Sequence, residues 1–293
     1  MGCGTWDRDS FASYTTRVRG AGTKIDAVTG AVITPLSHQE IFKSRYLDPM
    51  LDPKGVTREC RDNEEHPNTI PVILALDVTG SMGDAAVEVA KKLNVVMTNL
   101  YNNIKDVEFL IMGIGDFYCD DVPLQVSQFE SDIRIAEQLD KVYFEFGGGG
   151  NYWESYTAAW YFGTRHCDLD CWKRGKKGII ITMGDERLNP YIPKIGSRAS
   201  IKNVIGDTVQ DDIETKFLYE EAVEKYDIYH LQVNHTRDWD LPQIDKSWKE
   251  YLDDTHYRHV TLDNIANEIV DIIETSVNNN IVINNNNNKG ISW

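Results

Sequence analysis

Residues 70–83 read Ile-Pro-Val-Ile-Leu-Ala-Leu-Asp-Val-Thr-Gly-Ser-Met-Gly. The apolar run 71–76 is unbroken and carries β-branched residues, the mark of a strand buried on both faces. It stops at Asp77, and two glycines follow within six residues. Residues 85–101 then place apolar side chains at 86, 87, 89, 90, 93, 96, 97 and 100, which is helical spacing. A buried strand that runs through a turn into a helix is the opening unit of an α/β domain.

The same alternation continues outward. Residues 107–114, 177–182 and 228–233 read as further buried strands, and 122–129 alternates as a short, less buried one. A short strand is expected at 259–262. Helical spacing appears at 131–142, 154–162, 199–204, 211–226, 246–252 and 264–273. Strands that alternate with helices call for a parallel sheet covered on both faces. The expected fold is therefore α/β, a three-layer, doubly wound and mostly parallel sheet over residues 69–277. Residues 1–68 hold Gly20, Gly22, Gly30, Pro35, Pro49, Pro53 and Pro67 and read as an irregular N-terminal extension that wraps the domain. Residues 278–293 form an Asn-rich, low-complexity tail that is expected to be mobile. Asparagine runs of this kind suggest an AT-rich coding sequence, as in a low-GC bacterium or a phage.

The 293 residues include 46 acidic against 30 basic, a formal net charge of −16. So acidic a chain argues against nucleic acid and against an anionic membrane surface as partners. No apolar stretch approaches the ~20 residues a spanning helix needs. The first residues show no secretory signal, and Trp6 breaks the N-myristoylation pattern. Five cysteines fit reduced thiols, so a cytoplasmic location is expected.

In an open α/β sheet, ligands sit beyond the carboxyl ends of the strands. Here those ends carry Asp77-x-Thr79-x-Ser81, Gly113-Ile-Gly115-Asp116 and Gly184-Asp185-Glu186, and Gly147–Gly150 leads into Asn151-Tyr152-Trp153-Glu154. In an extended turn alternate residues point the same way, so Asp77, Thr79 and Ser81 converge. All three are hard oxygen donors, suited to Mg²⁺ (or Mn²⁺ or Ca²⁺) rather than zinc. Asp185 supplies a second carboxylate, leaving part of the coordination shell for water or a visitor's oxygen.

These motifs resemble the von Willebrand factor A (vWA) domain with its metal-ion-dependent adhesion site (MIDAS). That family's first loop, D-x-S/T-x-S, is matched by Asp77, Thr79 and Ser81, and its third-loop acid by Asp185. The second loop departs from the family: Asn151 stands where a carboxylate or hydroxyl is usual, while Glu154 matches the trailing acid. Asp116 resembles an acid that some members carry after the second strand, in a supporting role. The resemblance spans residues 69–277. It implies a non-enzymatic module in which Mg²⁺ on Asp77, Thr79, Ser81, Asn151 and Asp185 captures an Asp or Glu of a protein partner. Tyr152, Trp153, Glu154 and Glu186 would frame the docking surface. Bacterial members often work beside AAA+ ATPases of the MoxR kind or in assembly systems.

Other readings are weaker or open. A metal-dependent hydrolase could use the same rim, with Glu154, Glu186 or Asp116 as base, and a structural phage or assembly protein could carry a vestigial site. The dehalogenase motif fails at Thr79, there is no G-x-S-x-G elbow, and Gly147–Gly150 lacks a Walker ending. His166-Cys167-x-x-x-Cys171 offers only half of a zinc site. The basic run Lys173–Lys177 reads as a solvated turn.

Overall fold

The computed structural model describes residues 4–145, 151–233 and 239–287, with 279–287 as backbone only. Six strands form one sheet: β1 (Ile70–Asp77), β2 (Val107–Ile114), β3 (Leu124–Val126), β4 (Gly178–Gly184), β5 (Tyr226–Val233) and β6 (Tyr257–Val260). Their order is β6-β5-β4-β1-β2-β3. All neighbours pair in parallel except β2 and β3, which are antiparallel. The expected three-layer, mostly parallel α/β architecture is the one observed.

Alternation along each strand divides the core. Val72, Leu74 and Leu76 belong to one buried cluster, with Phe109, Ile111, Ile179 and Ile181. Ile73 and Ala75 belong to the other, with Leu110, Met112, Ile180 and Ile228. Helix α2 (Gly83–Asn103) and α6 (Ile265–Asn287) cover the first face. The second is covered by α3 (Thr157–Arg165), α4 (Thr215–Lys225) and α5 (Leu241–Lys249). A strand packed on both sides has no solvent face to relax into. Truncating fully buried Ile73 or Ile180 to alanine should therefore cost about 2–5 kcal/mol.

Several elements differ from the sequence reading. Residues 122–129 reduce to the three-residue β3, which is fully buried rather than half-exposed. It runs antiparallel because the short link from Ile114 to Leu124 leaves no room for a crossover. Helix α3 begins at Thr157, not Glu154, since Trp153–Glu154 forms a short strand parallel to Arg187–Leu188. The 246–252 helix lies earlier, at Leu241–Lys249, with a proline at its first turn. At the C-terminus, helix α6 continues to Asn287 through residues read as tail, and residues 288–293 lie outside the described residues.

The N-terminal segment is more regular than its glycines and prolines suggest. Helix α1 spans Arg8–Arg19, capped by Asp7, whose carboxylate accepts the Ser10 N–H at 2.7 Å. Asp9 in the first turn and Arg17 and Arg19 in the last complement the helix dipole. Trp6, Phe11 and Tyr14 enter the same buried cluster as α2. Trp6 Nε1 donates to Asn94 Oδ1 at 2.8 Å, and Asn94 Nδ2 donates to the Gly30 carbonyl at 3.1 Å. Gly30 has φ +74°, and a Cβ there would stand 1.9 Å from Asn94 Nδ2, so only glycine fits.

Candidate metal centre

The order of the sheet reverses between β1 and β4: the chain runs from β1 to β2 and β3 on one side, then crosses to β4 on the other. Such a switch point opens a crevice at the carboxyl ends of the two strands. Asp77 ends β1, and Asp185 follows β4 directly. Pairing of Leu76 with Met183 carries both acids to the same level.

Asp77 is fully buried and Asp185 nearly so. After Asp77 the chain turns through extended Thr79 and a short 3-10 segment, Gly80–Met82, into α2. Both the N–H and the hydroxyl of Thr79 donate to Asp77 Oδ1, at 2.9 and 2.6 Å. Ser81 Oγ donates to Asp185 Oδ1 at 3.0 Å. The first and third loops therefore meet, and Asp77, Thr79, Ser81 and Asp185 form one group.

The electrostatics of that group are those of crowded acids. Burial first, then the charge of Asp185, lifts the Asp77 pKa to about 7, while the donors Thr79 and Tyr156 pull the other way. Glu154, 8% exposed, is held well above the usual carboxylate range by burial and by the charges of Asp77, Asp120, Asp116 and Glu186. Its buried Oε2 has no hydrogen-bond partner.

Asn151 has two hydrogen-bond partners of its own. Its Nδ2 donates to Asp116 Oδ2 at 2.6 Å and its Oδ1 accepts from the Trp153 N–H at 3.3 Å. One end of the amide thus ties to the link after β2, and the other stays within the second loop. Asp116 also accepts from the Tyr118 N–H at 3.0 Å, Ser155 Oγ at 3.1 Å and Cys119 Sγ at 2.9 Å. Asp120 Oδ2 accepts the Asp116 N–H at 2.7 Å, and burial raises the Asp120 pKa to about 6.

The residues around this group differ in exposure. Tyr152 is exposed, with the Arg187 guanidinium 5.2 Å from its ring centroid. Arg187 is in turn paired with buried Asp240. Trp153 is half-buried opposite Arg187, and Glu186 is buried. Arg187, Asp240, Tyr156 and Trp248 are site-building residues absent from the sequence reading. Tyr156 is one aromatic among several in residues 152–161, and nothing in its local sequence marks its contact with Asp77.

The donor set fits a hard divalent cation: two buried carboxylates, two hydroxyls and an orphaned carboxylate oxygen nearby. Among the described residues no three His, Cys, Asp or Glu side chains form a ligand cluster, so any cation here relies on hydroxyls and on oxygen from outside. The half zinc site does not close. His166 Nε2 lies 2.7 Å from Asp207 Oδ2, and burial pushes the Cys167 and Cys171 thiols up to about 12. The Gly147–Gly150 run lies outside the described residues. Among those described, no helix is long and apolar enough to cross a membrane, and the buried Cys60, Cys167 and Cys171 are free thiols.

No protein-family model and no curated protein matches the chain. Among solved structures it is similar to the pilus adhesin SpaC from Lactobacillus rhamnosus GG in its open conformation. The TM-score is 0.49 and the identity 14%, over 78% of this chain and 31% of that one. It is also similar to the vWF domain of the type V pili tip protein Mfa5 from Porphyromonas gingivalis. There the TM-score is 0.43 and the identity 12%, over 72% of this chain and 96% of that one. The chain thus spans less than a third of the length of the SpaC chain it matches.

Proposed function

We propose that the chain is a cation-dependent protein-interaction module of the vWA type. Asp77, Thr79, Ser81 and Asp185 would hold Mg²⁺, or Mn²⁺ or Ca²⁺ in its place. The ion supplies a positive centre that attracts a carboxylate oxygen from an Asp or Glu of another protein. Asn151 serves the site indirectly by holding Asp116 and the second loop. Tyr152 and Trp153 offer aromatic surface beside it, of the kind enriched at interfaces.

One observation carries the reading. Two carboxylates from neighbouring parallel strands meet at the switch point, each already engaged by a hydroxyl of the D-x-T-x-S turn. A helix cap explains Thr79 and Ser81 but gives no reason to bury Asp77 beside Asp185. An assembly component or a MoxR-type ATPase is the partner class that the vWA resemblance suggests, with the cytoplasm as the setting.

The test is Mg²⁺ or Mn²⁺ titration of the full chain followed by affinity capture, comparing wild type with Asp77→Ala. Cation-dependent capture of a defined protein, lost in the variant and when a Glu or Asp of that protein is changed to alanine, supports the proposal. Cation-dependent turnover of a phosphoester would point to a hydrolase instead, and indifference to the cation would overturn both.

A further inference from the structure

One side chain joins Asp77 to the third loop. Tyr156, just before α3, is fully buried. Its hydroxyl donates to Asp77 Oδ2 at 3.0 Å and accepts the Glu186 N–H at 3.3 Å. The carbonyl of Glu186 accepts from Trp248 Nε1 at 3.2 Å. Both polar atoms of the Glu186 backbone are therefore held from below by aromatic side chains. The space is cut to fit, since a Cβ on Gly184 would stand 1.8 Å from the Tyr156 hydroxyl.

The rings are themselves fixed. Tyr156 meets His230 edge-on at 5.1 Å and Trp248 at 5.2 Å. His230 stacks on Trp248 at 3.6 Å and on Tyr257 at 5.8 Å, with its Nδ1 2.9 Å from Thr182 Oγ1. This stack spans β4, β5, β6 and α5, so the phenol cannot swing without disturbing four elements. A buried tyrosine needs some acceptor, and a main-chain carbonyl would serve. This one is aimed at a carboxylate that has a second carboxylate as its neighbour.

We infer that Tyr156 is the positioning residue of the cation site: it turns Oδ2 of Asp77 inward, leaves Oδ1 toward Thr79, and holds the Asp185–Glu186 turn in register with the first loop. Trp248 fixes the other side of the same turn. The inference rests on the metal-binding reading above. Partners that orient a metal ligand from behind typically contribute 10–100-fold to affinity.

The experiment uses the full chain and Mn²⁺ alone as the probe, with binding followed by calorimetry and by Mn²⁺ electron paramagnetic resonance. Tyr156→Phe removes the hydroxyl and keeps the ring. The expected result is a dissociation constant raised about tenfold, together with faster hydrogen exchange at the Glu186 amide. A purely structural role would instead lower the melting temperature and leave affinity within twofold of wild type, which overturns the inference. Trp248→Phe is the second variant, and it should weaken Mn²⁺ through the Glu186 carbonyl by a smaller factor. Should Tyr156→Phe fail to fold, an unchanged affinity in Trp248→Phe overturns the inference. If the wild type itself ignores Mn²⁺, the proposed function falls and takes this inference with it. Wild-type binding that is lost in Asp77→Ala but intact in Tyr156→Phe refutes the inference alone.

Discussion

The two ends of the central sheet bury the same kind of residue under different terms. At the amino end, Glu108 and Glu130 lie on or beside β2, both largely out of solvent. Glu130 has Arg134 at 2.9 Å, and Glu108 has Cys60 and His66 as neighbours that favour its charged form. At the carboxyl end, the strongest neighbours of Asp77 and Glu154 are other carboxylates, hydroxyls and a phenol. The amino end sets a basic side chain of the chain itself, Arg134, against Glu130. The other gathers carboxylates from several loops, with Arg187 beside Glu186 at its edge, and a divalent cation would relieve that crowding.

Changes that break this contrast can be ranked by size. Asp77→Ala should abolish Mg²⁺ and Mn²⁺ binding outright, as measured by calorimetry, while leaving the circular dichroism of the metal-free fold unchanged. Saturating Mg²⁺ should raise the wild-type melting temperature and leave that variant unaffected. At a hundred times the dissociation constant the linkage amounts to about 2.7 kcal/mol. Glu154→Gln should stabilise the metal-free protein by a few degrees at high pH, where the wild type has to ionise a buried carboxyl among other acids.

The amino end gives the pH control. Burial raises the Glu108 pKa to about 7. Its folded value lies above its unfolded one, so the folded state holds the extra proton between about pH 4 and 7. Stability should rise as pH falls from 8 through 7, and Glu108→Gln should flatten that rise without touching Mn²⁺ affinity. The smallest effect is expected from Asn151→Ala, which frees one of four donors to Asp116 and should change Mn²⁺ affinity by no more than a few-fold. A large loss there would return Asn151 to the ligand set.

The parts legible in the sequence are those governed by local pattern. Residues 71–76 and 109–114 carry no charged or polar side chain because both faces of the sheet are covered, and no other element tolerates that pattern at that length. Asp77 and Asp185 stand out because a charge directly after such a run must lie at a strand end. Tyr156 is different. Its spacing is that of any core aromatic, and its contact with Asp77 spans 79 positions, so only the folded chain displays it. Helix α1 was hidden for another reason: with Thr15, Thr16 and Val18 its intrinsic propensity is low, and capping plus docking on α2 make it form. Asn151 matches a family position in order along the chain, yet its amide is captured by Asp116, a partner that sequence order does not reveal.

Trp6, Phe11 and Tyr14 have a practical consequence for anyone trimming this protein. They complete the hydrophobic layer over α2, so a fragment starting at residue 69 would present a greasy flank to water and should clump when expressed. What looks like a leader to be cut away is a wall of the house.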